Sequence, residues 1–101
     1  DFSFIIEKNI SDIFAMLHKH KMKVDLIQNS AISFSVCVFD KFNKMEELLH
    51  ELRGRFQVDH TAGVSLYTIR HFQAESADFL LHKYELLLEQ RTQETMQLVM
   101  R

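Results

Sequence analysis

Apolar residues in the first third of the chain recur at two different periods. One set has the i, i+3, i+4, i+7 spacing of a single helix face and predicts a helix over residues 10–21; its members are Ile10, Ile13, Phe14 and Leu17. Residues 32–38 alternate between apolar and polar side chains, which predicts a strand with one core face and one polar face. A shorter run over residues 24–28 predicts a partner strand, and the polar residues between the two strands favour a hairpin.

Residue types at the ends of the helices suggest where the helices begin and stop. Asn9 or Ser11 is expected to cap the first helix, and Asp40 is expected to cap a second helix over residues 41–53, with Gly54 just past its end. The apolar stripe of this second helix is expected to consist of Phe42, Met45, Leu49 and Leu52. The methionines are expected to fill gaps in the core.

The second half of the chain continues with alternating short elements. A strand is expected near residues 57–59, followed by a turn and a stronger strand over residues 64–71, and residues 75–84 have a helical pattern. Residues 86–91 and 95–100 contain good helix formers, but the second of these segments alternates like a strand. The pattern alone therefore leaves helix and strand equally open in this tail.

The order of these elements indicates the fold class. A first strand, helix, strand, strand, helix and strand in succession is the split βαβ order of a ferredoxin-like α+β fold, an antiparallel sheet with helices on one face. The segments after residue 63 partly repeat that order, although their letters hardly repeat. The sequence therefore predicts one complete unit followed by part of a second.

Composition and charge exclude several classes of function. The 101 residues contain no proline and two glycines, Gly54 and Gly63, whose spacing cannot build a glycine-rich phosphate loop. The formal charge of −2, without a basic stripe, disfavours a nucleic-acid partner, and no apolar run is long enough to span a membrane. A single cysteine fits a reducing, cytoplasmic setting. A start without Met and an abrupt end suggest a piece of a longer protein.

Few side chains are spaced for chemistry. The six histidines are scattered, so surface positions are favoured over metal ligation, and Cys37 lacks the electropositive surroundings of a reactive thiol. Asp25 is suited to hold an ammonium group, while Asn29, Ser30 and backbone amides are suited to hold a carboxylate. An ordinary hairpin with common turn residues is the simpler interpretation of the same letters.

The residue types around this hairpin are more informative than the alternation of apolar and polar positions. Val24-Asp25-Leu26-Ile27, followed by Asn29-Ser30 and the alternating strand from Ile32, resembles the ACT domain of aspartokinases. Residues 1–4 resemble the end of that domain's first strand, and residues 64–69, 86–91 and 95–99 resemble strands of a second ACT unit. The resemblance implies a ferredoxin-like ACT domain over residues 1–63, part of a second over residues 64–101, and two strands in the tail.

The resemblance also implies a function for this segment. Aspartokinases transfer phosphate from ATP to the β-carboxylate of aspartate, the first step toward lysine, threonine and methionine, and their kinase domain precedes the ACT pair. ATP and magnesium would bind in that domain, so this segment is expected to be non-catalytic and to bind no cofactor. It is expected to bind an amino-acid effector, lysine or threonine, at an interface between ACT units of a cytoplasmic homodimer.

The effector site implied by the resemblance lies around the hairpin. Its positions in this chain are Met22, Lys23, Val24, Asp25, Asn29, Ser30 and Ile32, with Asp25 receiving an amine of the ligand. The family commonly has Gly-Phe-Leu where the first helix begins, and this chain has Lys8, Asn9 and Ile10 there. The side chain of Lys8 is therefore expected to fill or reshape the site.

Two other functions compete with effector binding. The same fold could serve only as a dimerisation module, in which a strand edge or sheet pairs with a second copy. A small ferredoxin-like hydrolase of the acylphosphatase type would need an anion-binding loop with Arg and Asn near the first strand. The first strand offers neither, so this enzyme class is disfavoured.

Overall fold

A computed structural model describes residues 7–30, 33–70 and 77–101 of the chain. These residues form an α+β structure with three helices and two antiparallel sheets. The chain divides into two compact units, unit 1 (Asp1–Asp59) and unit 2 (His60–Arg101), whereas the sequence places the division between residues 63 and 64. The strand expected at residues 1–4 lies outside the described residues. Among the described helices, none combines the length and the apolar character needed to cross a membrane.

Unit 1 contains two helices and a hairpin, in the order α1 (Glu7–Lys19), β1 (Lys23–Asn29), β2 (Phe34–Phe39) and α2 (Met45–Arg53). The two strands are antiparallel, as the sequence predicts. Both helices pack on one face of the hairpin. The buried core of this face consists of Ile13, Met16, Leu17, Met22, Leu48 and Leu52, with Val24, Phe34 and Val38 packed against it.

Helix α1 begins earlier than its apolar pattern predicts. It starts at Glu7, so Asn9 and Ser11 lie inside the helix and neither caps it, and the prediction of those caps is wrong. The buried residues are Ile13, Met16 and Leu17. Ile13 and Leu17 belong to the predicted apolar face, and Met16 extends it. The charged and polar residues before residue 10 are compatible with helix because they lie on its solvent side.

The end of α1 is a Schellman motif. The backbone N–H of Met22 donates to the carbonyl of Leu17 (2.9 Å), and that of Lys21 donates to the carbonyl of His18 (3.0 Å). Met22 and Leu17 are both buried in the same cluster, which is the hydrophobic contact that accompanies this motif. Lys21 occupies the left-handed position with φ of 59°, where glycine is usual.

Replacing Lys21 with glycine is expected to stabilise the fold by about 0.5–1 kcal/mol, because glycine carries no Cβ to clash in the left-handed region. Lys21→Ala is the matched control, since it removes the same charged side chain and keeps the strained backbone. Urea unfolding monitored by circular dichroism measures both variants. A glycine variant no more stable than the alanine variant would contradict this assignment of strain.

Helix α2 starts four residues later than predicted. The carboxylate of Asp40 accepts the backbone N–H groups of Lys44 (2.8 Å) and Met45 (2.9 Å), so Asp40 satisfies the first helical donors across a loop rather than as the residue adjoining the helix. Asn43 in that loop has φ of 58°. At the other end α2 stops at Arg53, so Gly54 lies just past the helix as predicted, in a right-handed conformation (φ −67°).

The later start changes which residues of α2 reach the core. Leu48 and Leu52 are buried and Met45 packs beside them, as expected for Met45 and Leu52. Phe42 lies before the helix and is 52 % exposed, and Leu49 is only half-buried, so the expected stripe is wrong at these two positions.

The second face of the hairpin is less polar than its alternation suggests. Cys37 lies on the face with Ser35, opposite the helices, yet it is buried, and so is its cross-strand neighbour Leu26. The prediction of a purely polar second face is therefore wrong at the end of β2 where Cys37 lies.

Unit 2 consists of β3 (Ser65–Arg70), α3 (Asp78–Lys83), β4 (Leu86–Arg91) and β5 (Thr95–Met100). The strand order is β3-β5-β4, with β5 antiparallel to both neighbours. A helix that joins two outer strands while a third strand lies between them is the split βαβ arrangement. The tail is thus two strands, and a ferredoxin-like fold is compatible with this topology. Residues 57–59 form no strand, so that prediction is wrong.

Strand β5 is central in its sheet and supplies most of the core of unit 2. Its buried residues Met96, Leu98 and Met100 alternate along the strand and cluster with Ala77 beside α3. Tyr67 and Tyr84 stack against this cluster with ring centroids 6.0 Å apart. The methionines at 16, 22, 96 and 100 are buried, which confirms them as core residues.

Candidate functional site

Asp25 is positioned by an irregularity in β1. The pairing of β1 with β2 shifts register between Val24 and Leu26, so Asp25 has no partner opposite it on β2. Such a bulge re-aims the side chain of the extra residue, and bulges are frequent beside functional sites. The Schellman turn that precedes β1 fixes where this strand begins. Backbone geometry, and not the hydrophobic alternation alone, therefore decides where the carboxylate of Asp25 points.

The carboxylate of Asp25 is half-buried and lies beside an ammonium group. Its Oδ1 is 3.4 Å from Nζ of Lys23, and the side chains of Asp25 and Lys23 are 25 % and 74 % exposed. Burial, and then the negative charge of Asp25, raise the pKa of the Cys37 thiol. A thiol with a raised pKa stays protonated at neutral pH, which disfavours Cys37 as a nucleophile.

The residues of the implied effector site do not form one cluster in unit 1. Met22 and Val24 point into the core, while Lys23 and Asp25 lie at the start of β1. Asn29 is six residues after Lys23, about 20 Å farther along the strand. Ile32 lies outside the described residues.

The first-helix members of the implied site lie at the far end of α1. Lys8 is about 16 Å along the helix from Lys19, the end that leads to β1. Nζ of Lys8 is 3.2 Å from Oδ2 of Asp12, and Lys8 is well exposed. Asn9 and Ile10 are half-buried in the same turn. Lys8 is therefore paired along its own helix.

The hairpin turn uses its polar atoms internally. The backbone N–H of Ser30 donates to the carbonyl of Ser33 (2.9 Å), and the N–H of Ser33 donates to Oγ of Ser30 (3.1 Å). The two hydroxyls also share a hydrogen bond of 2.7 Å. Ser30 is consequently committed to closing the turn, whereas the amide of Asn29 is exposed at the end of β1.

Polar contacts join α1 to α2 and to the segment that follows α2. Near the end of α1, Nε2 of His20 donates to Oε1 of Glu51 (2.8 Å), and Nζ of Lys19 donates to the same oxygen (3.2 Å). Near the start, Nη1 of Arg55 donates to Oδ2 of Asp12 (2.9 Å). The hydrogen bond from His20, and then that from Lys19, hold the pKa of Glu51 below its ordinary value.

Because the pKa of Glu51 is lower in the folded protein than in the unfolded chain, this network stabilises the fold above the unfolded value of about 4.3 and loses that contribution as pH falls through the folded value. Glu51→Gln is expected to lower the melting temperature near neutral pH and to make its decline in acid shallower. Asp59→Asn, at an exposed position outside this network, is the control. Thermal melts between about pH 3 and pH 7 measure the slopes. Equal slopes for wild type and Glu51→Gln would contradict the proposed role of the network.

A groove runs along one edge of β2. Residues 33–36 line it consecutively, so it follows the strand's backbone, and its volume is about 350 Å³. Ile13, Phe34 and Leu52 form an apolar floor, and Asp59 lies at the rim. The segment after α2 forms the other wall, and its Val58 carbonyl accepts a hydrogen bond from Nη2 of Arg53, the last residue of α2 (3.3 Å). The sequence carries no signal for this groove, because the pattern of residues 57–59 predicts a strand there.

The part of the chain that the structure describes contains no group of three or more His, Cys, Asp or Glu side chains placed to hold a metal ion. A comparison with models of known protein families finds no match to this chain, and a comparison with curated proteins also finds none. The residues and their geometry are therefore the basis for assigning a function.

Proposed function

We propose that this chain is a non-catalytic, ACT-type regulatory region of an aspartate kinase, which binds an amino-acid effector such as lysine or threonine and takes part in dimerisation. The observation that carries the proposal is Asp25, a half-buried carboxylate at a β-bulge with an ammonium group 3.4 Å away. The resemblance of residues 24–36 to the aspartokinase ACT domain supplies the ligand class.

The ion pair of Asp25 with Lys23 shows what chemistry this position accepts. Nζ of Lys23 lies where the amine of an effector would lie, because a carboxylate binds any ammonium group at the same distance. Lys23 is largely exposed, and exposed ion pairs contribute little to stability. An effector amine therefore replaces the side chain of Lys23 at low cost.

The spacing along β1 bears on which amino acid fits. Asp25 and Asn29 are about 13 Å apart along the strand, since each residue advances about 3.3 Å. An extended lysine spans about 8 Å between its carboxylate and its side-chain amine, and threonine is shorter. Neither spans the distance from Asp25 to Asn29, so the group that holds the effector's carboxylate would come from a second ACT unit.

The topology of unit 2 supports the same proposal at the level of the fold. Its β3-β5-β4 order, with α3 between the outer strands in sequence, matches the first four of the six elements of a ferredoxin-like fold, the fold that ACT domains have. Many functions share this fold, so the topology supports the fold class and the choice of ligand depends on Asp25.

Isothermal titration of the chain with lysine, threonine and methionine tests the proposal. We expect heat on adding lysine, a loss of at least about tenfold in affinity for Asp25→Asn, and a gain for Lys23→Ala because the competing ammonium is removed. Asp59→Asn, which changes the rim of the groove, is the matched control and is expected to bind normally. Thermal melts establish that each variant is folded.

Two results would contradict effector binding at Asp25. One is the absence of heat and of any thermal shift at millimolar amino acid. The other is a loss of affinity in Asp59→Asn with none in Asp25→Asn, which would move the ligand to the groove.

A dimerisation module without a ligand is the alternative function. Among the described strands, β2 pairs only with β1, and in this alternative its other edge, along the groove, would pair with a strand of a second copy. Light scattering that shows a dimer indifferent to amino acids would select this alternative. A monomer at all concentrations that also ignores amino acids would reject both functions.

A further inference from the structure

An exposed phenylalanine ring lies close to two lysines, on the side of unit 1 where the chain passes from α1 into β1. Phe42 is 52 % exposed, and Nζ of Lys21 and of Lys41 lie 5.3 Å and 5.7 Å from the centre of its ring. These three residues form what we call the Phe42 patch. In the described part of the chain neither lysine has a carboxylate within ion-pair distance, so both charges are available.

The backbone holds this patch in place. Asp40 accepts hydrogen bonds from the N–H groups of Lys44 and Met45, which anchors the loop at both ends. Asn43 is left-handed within the loop, and Lys21 is left-handed at the end of α1. Phe42 is thus displayed on a short anchored loop, although burying its ring would be favourable by about 2 kcal/mol.

The chemistry of the patch identifies the kind of partner it fits. An apolar ring between two ammonium groups complements a surface that carries carboxylates around an apolar or small-residue site. A polyanion such as nucleic acid is disfavoured, because the chain carries 14 acidic and 12 basic residues and would repel it outside the patch.

The chain itself carries a complementary surface. The outer face of α2 has a shallow depression lined by Glu46, Glu47, His50, Glu51 and Gly54. Glu47 is 3.6 Å from Lys44 and Glu51 is bound by His20, so Glu46 is the carboxylate on this face that pairs with no cation in the described part of the chain. Gly54 contributes no side chain to the depression, which leaves room for an aromatic ring.

We propose that the Phe42 patch of one copy docks on the outer face of α2 of a second copy, with Lys41 meeting Glu46. The two surfaces are adjacent in the chain and belong to the same unit, so a two-fold axis allows both contacts to form at once. This contact involves neither Asp25 nor the edge of β2, and it is therefore independent of the effector site and of the strand-edge alternative.

Reciprocal charge reversal tests this contact on the full chain. Sedimentation velocity from about 10 µM to about 1 mM at low salt is expected to show self-association of the wild type that weakens as salt is raised. Lys41→Glu, Glu46→Lys and Phe42→Ser are each expected to weaken association by at least about tenfold. An equimolar mixture of Lys41→Glu with Glu46→Lys is expected to restore it, since both contacts in the mixed dimer join opposite charges.

Three results would overturn the contact between copies. The first is a wild type that stays monomeric over this range. The second is association that the three substitutions leave unchanged, which would place the interface elsewhere, for example on the edge of β2. The third is a mixture of the two reversed variants that remains as weak as each alone. Binding of a single-stranded oligonucleotide or of anionic vesicles that Phe42→Ser abolishes would assign the patch to another partner.

Discussion

Replacing Leu98 with alanine is expected to lower the free energy of unfolding of unit 2 by about 3 kcal/mol. Leu98 is 0 % exposed and lies in the middle of β5, the central strand of its sheet. Its neighbours in the core are Met96, Met100 and Ala77, and strands on both sides of β5 restrict any collapse around the missing methyl groups. A cavity at this position therefore remains open, which is the costly case for a large-to-small substitution.

Tyrosine fluorescence measures this effect selectively. The chain has two tyrosines and no tryptophan, and both Tyr67 and Tyr84 lie in unit 2, stacked against the cluster that contains Leu98. Urea unfolding followed by this signal gives the midpoint for wild type and variant. Leu81→Ala, at a position that is 45 % exposed, is the matched control and is expected to change stability by less than about 1 kcal/mol. Equal midpoints for the two variants would contradict the central position of Leu98.

Replacing Leu48 with alanine is expected to destabilise unit 1 by about 3 kcal/mol, whereas Leu49→Ala is expected to cost about 1 kcal/mol. Leu48 is 2 % exposed and lies in the cluster between α1, α2 and the hairpin. Leu49 is the next residue and is only half-buried. The periodicity of the sequence predicts the reverse ranking, because it starts the helix at residue 41 and puts Leu49 on the core stripe.

This pair of variants is closely matched, since the same side chain is truncated at adjacent positions of one helix. Far-UV circular dichroism during urea unfolding follows both, and the difference in midpoint reports the difference in burial. If Leu49→Ala proved the more destabilising variant, the observed start of α2 at Met45 would be wrong and the earlier start favoured. Similar losses from both substitutions would also contradict the burial of Leu48 described above.

The ligand proposal and the docking proposal involve different parts of unit 1. Asp25 lies at the bulge in β1, and the Phe42 patch lies on the loop before α2. Lys23 pairs with Asp25 at the proposed ligand site, and Lys41 belongs to the Phe42 patch. A substitution at Lys23 is therefore expected to leave docking intact, and a substitution at Lys41 is expected to leave ligand binding intact. Titration with amino acids and sedimentation of charge-reversed variants therefore give independent answers.

Parts of the fold follow from sequence because they depend on neighbours along the chain. The alternation before Phe39 predicts β2, the polar turn predicts the hairpin, and the periodicity around Leu17 predicts α1. Over residues 95–100, helix propensity favours a helix and the alternation favours a strand. The segment forms a strand, because one of its faces is buried at the centre of a sheet. Local patterns thus predict most elements but not the layer in which each one packs.

The candidate site shows the same division between local and tertiary information. Asp25 and Asn29 are recognisable as polar residues of a hairpin, but their separation along one extended strand becomes clear only once β1 is seen at its full length. The bulge at Asp25, the groove beside β2 and the exposure of Phe42 have no signal in the letters. Each results from a backbone conformation that the spacing of hydrophobic residues does not encode.

The sequence by itself determined the α+β class, the hairpin, the helix α1 and the core residues of regular periodicity, because hydrophobic spacing is a local property. Only the tertiary structure decided the start of α2, where Asp40 satisfies helical donors across a loop and leaves Phe42 in solvent. Only the tertiary structure likewise decided the burial of Cys37 on the face expected to be polar. Capping across a loop, bulges and the covering of a sheet face depend on three-dimensional neighbours, and periodicity carries no information about them.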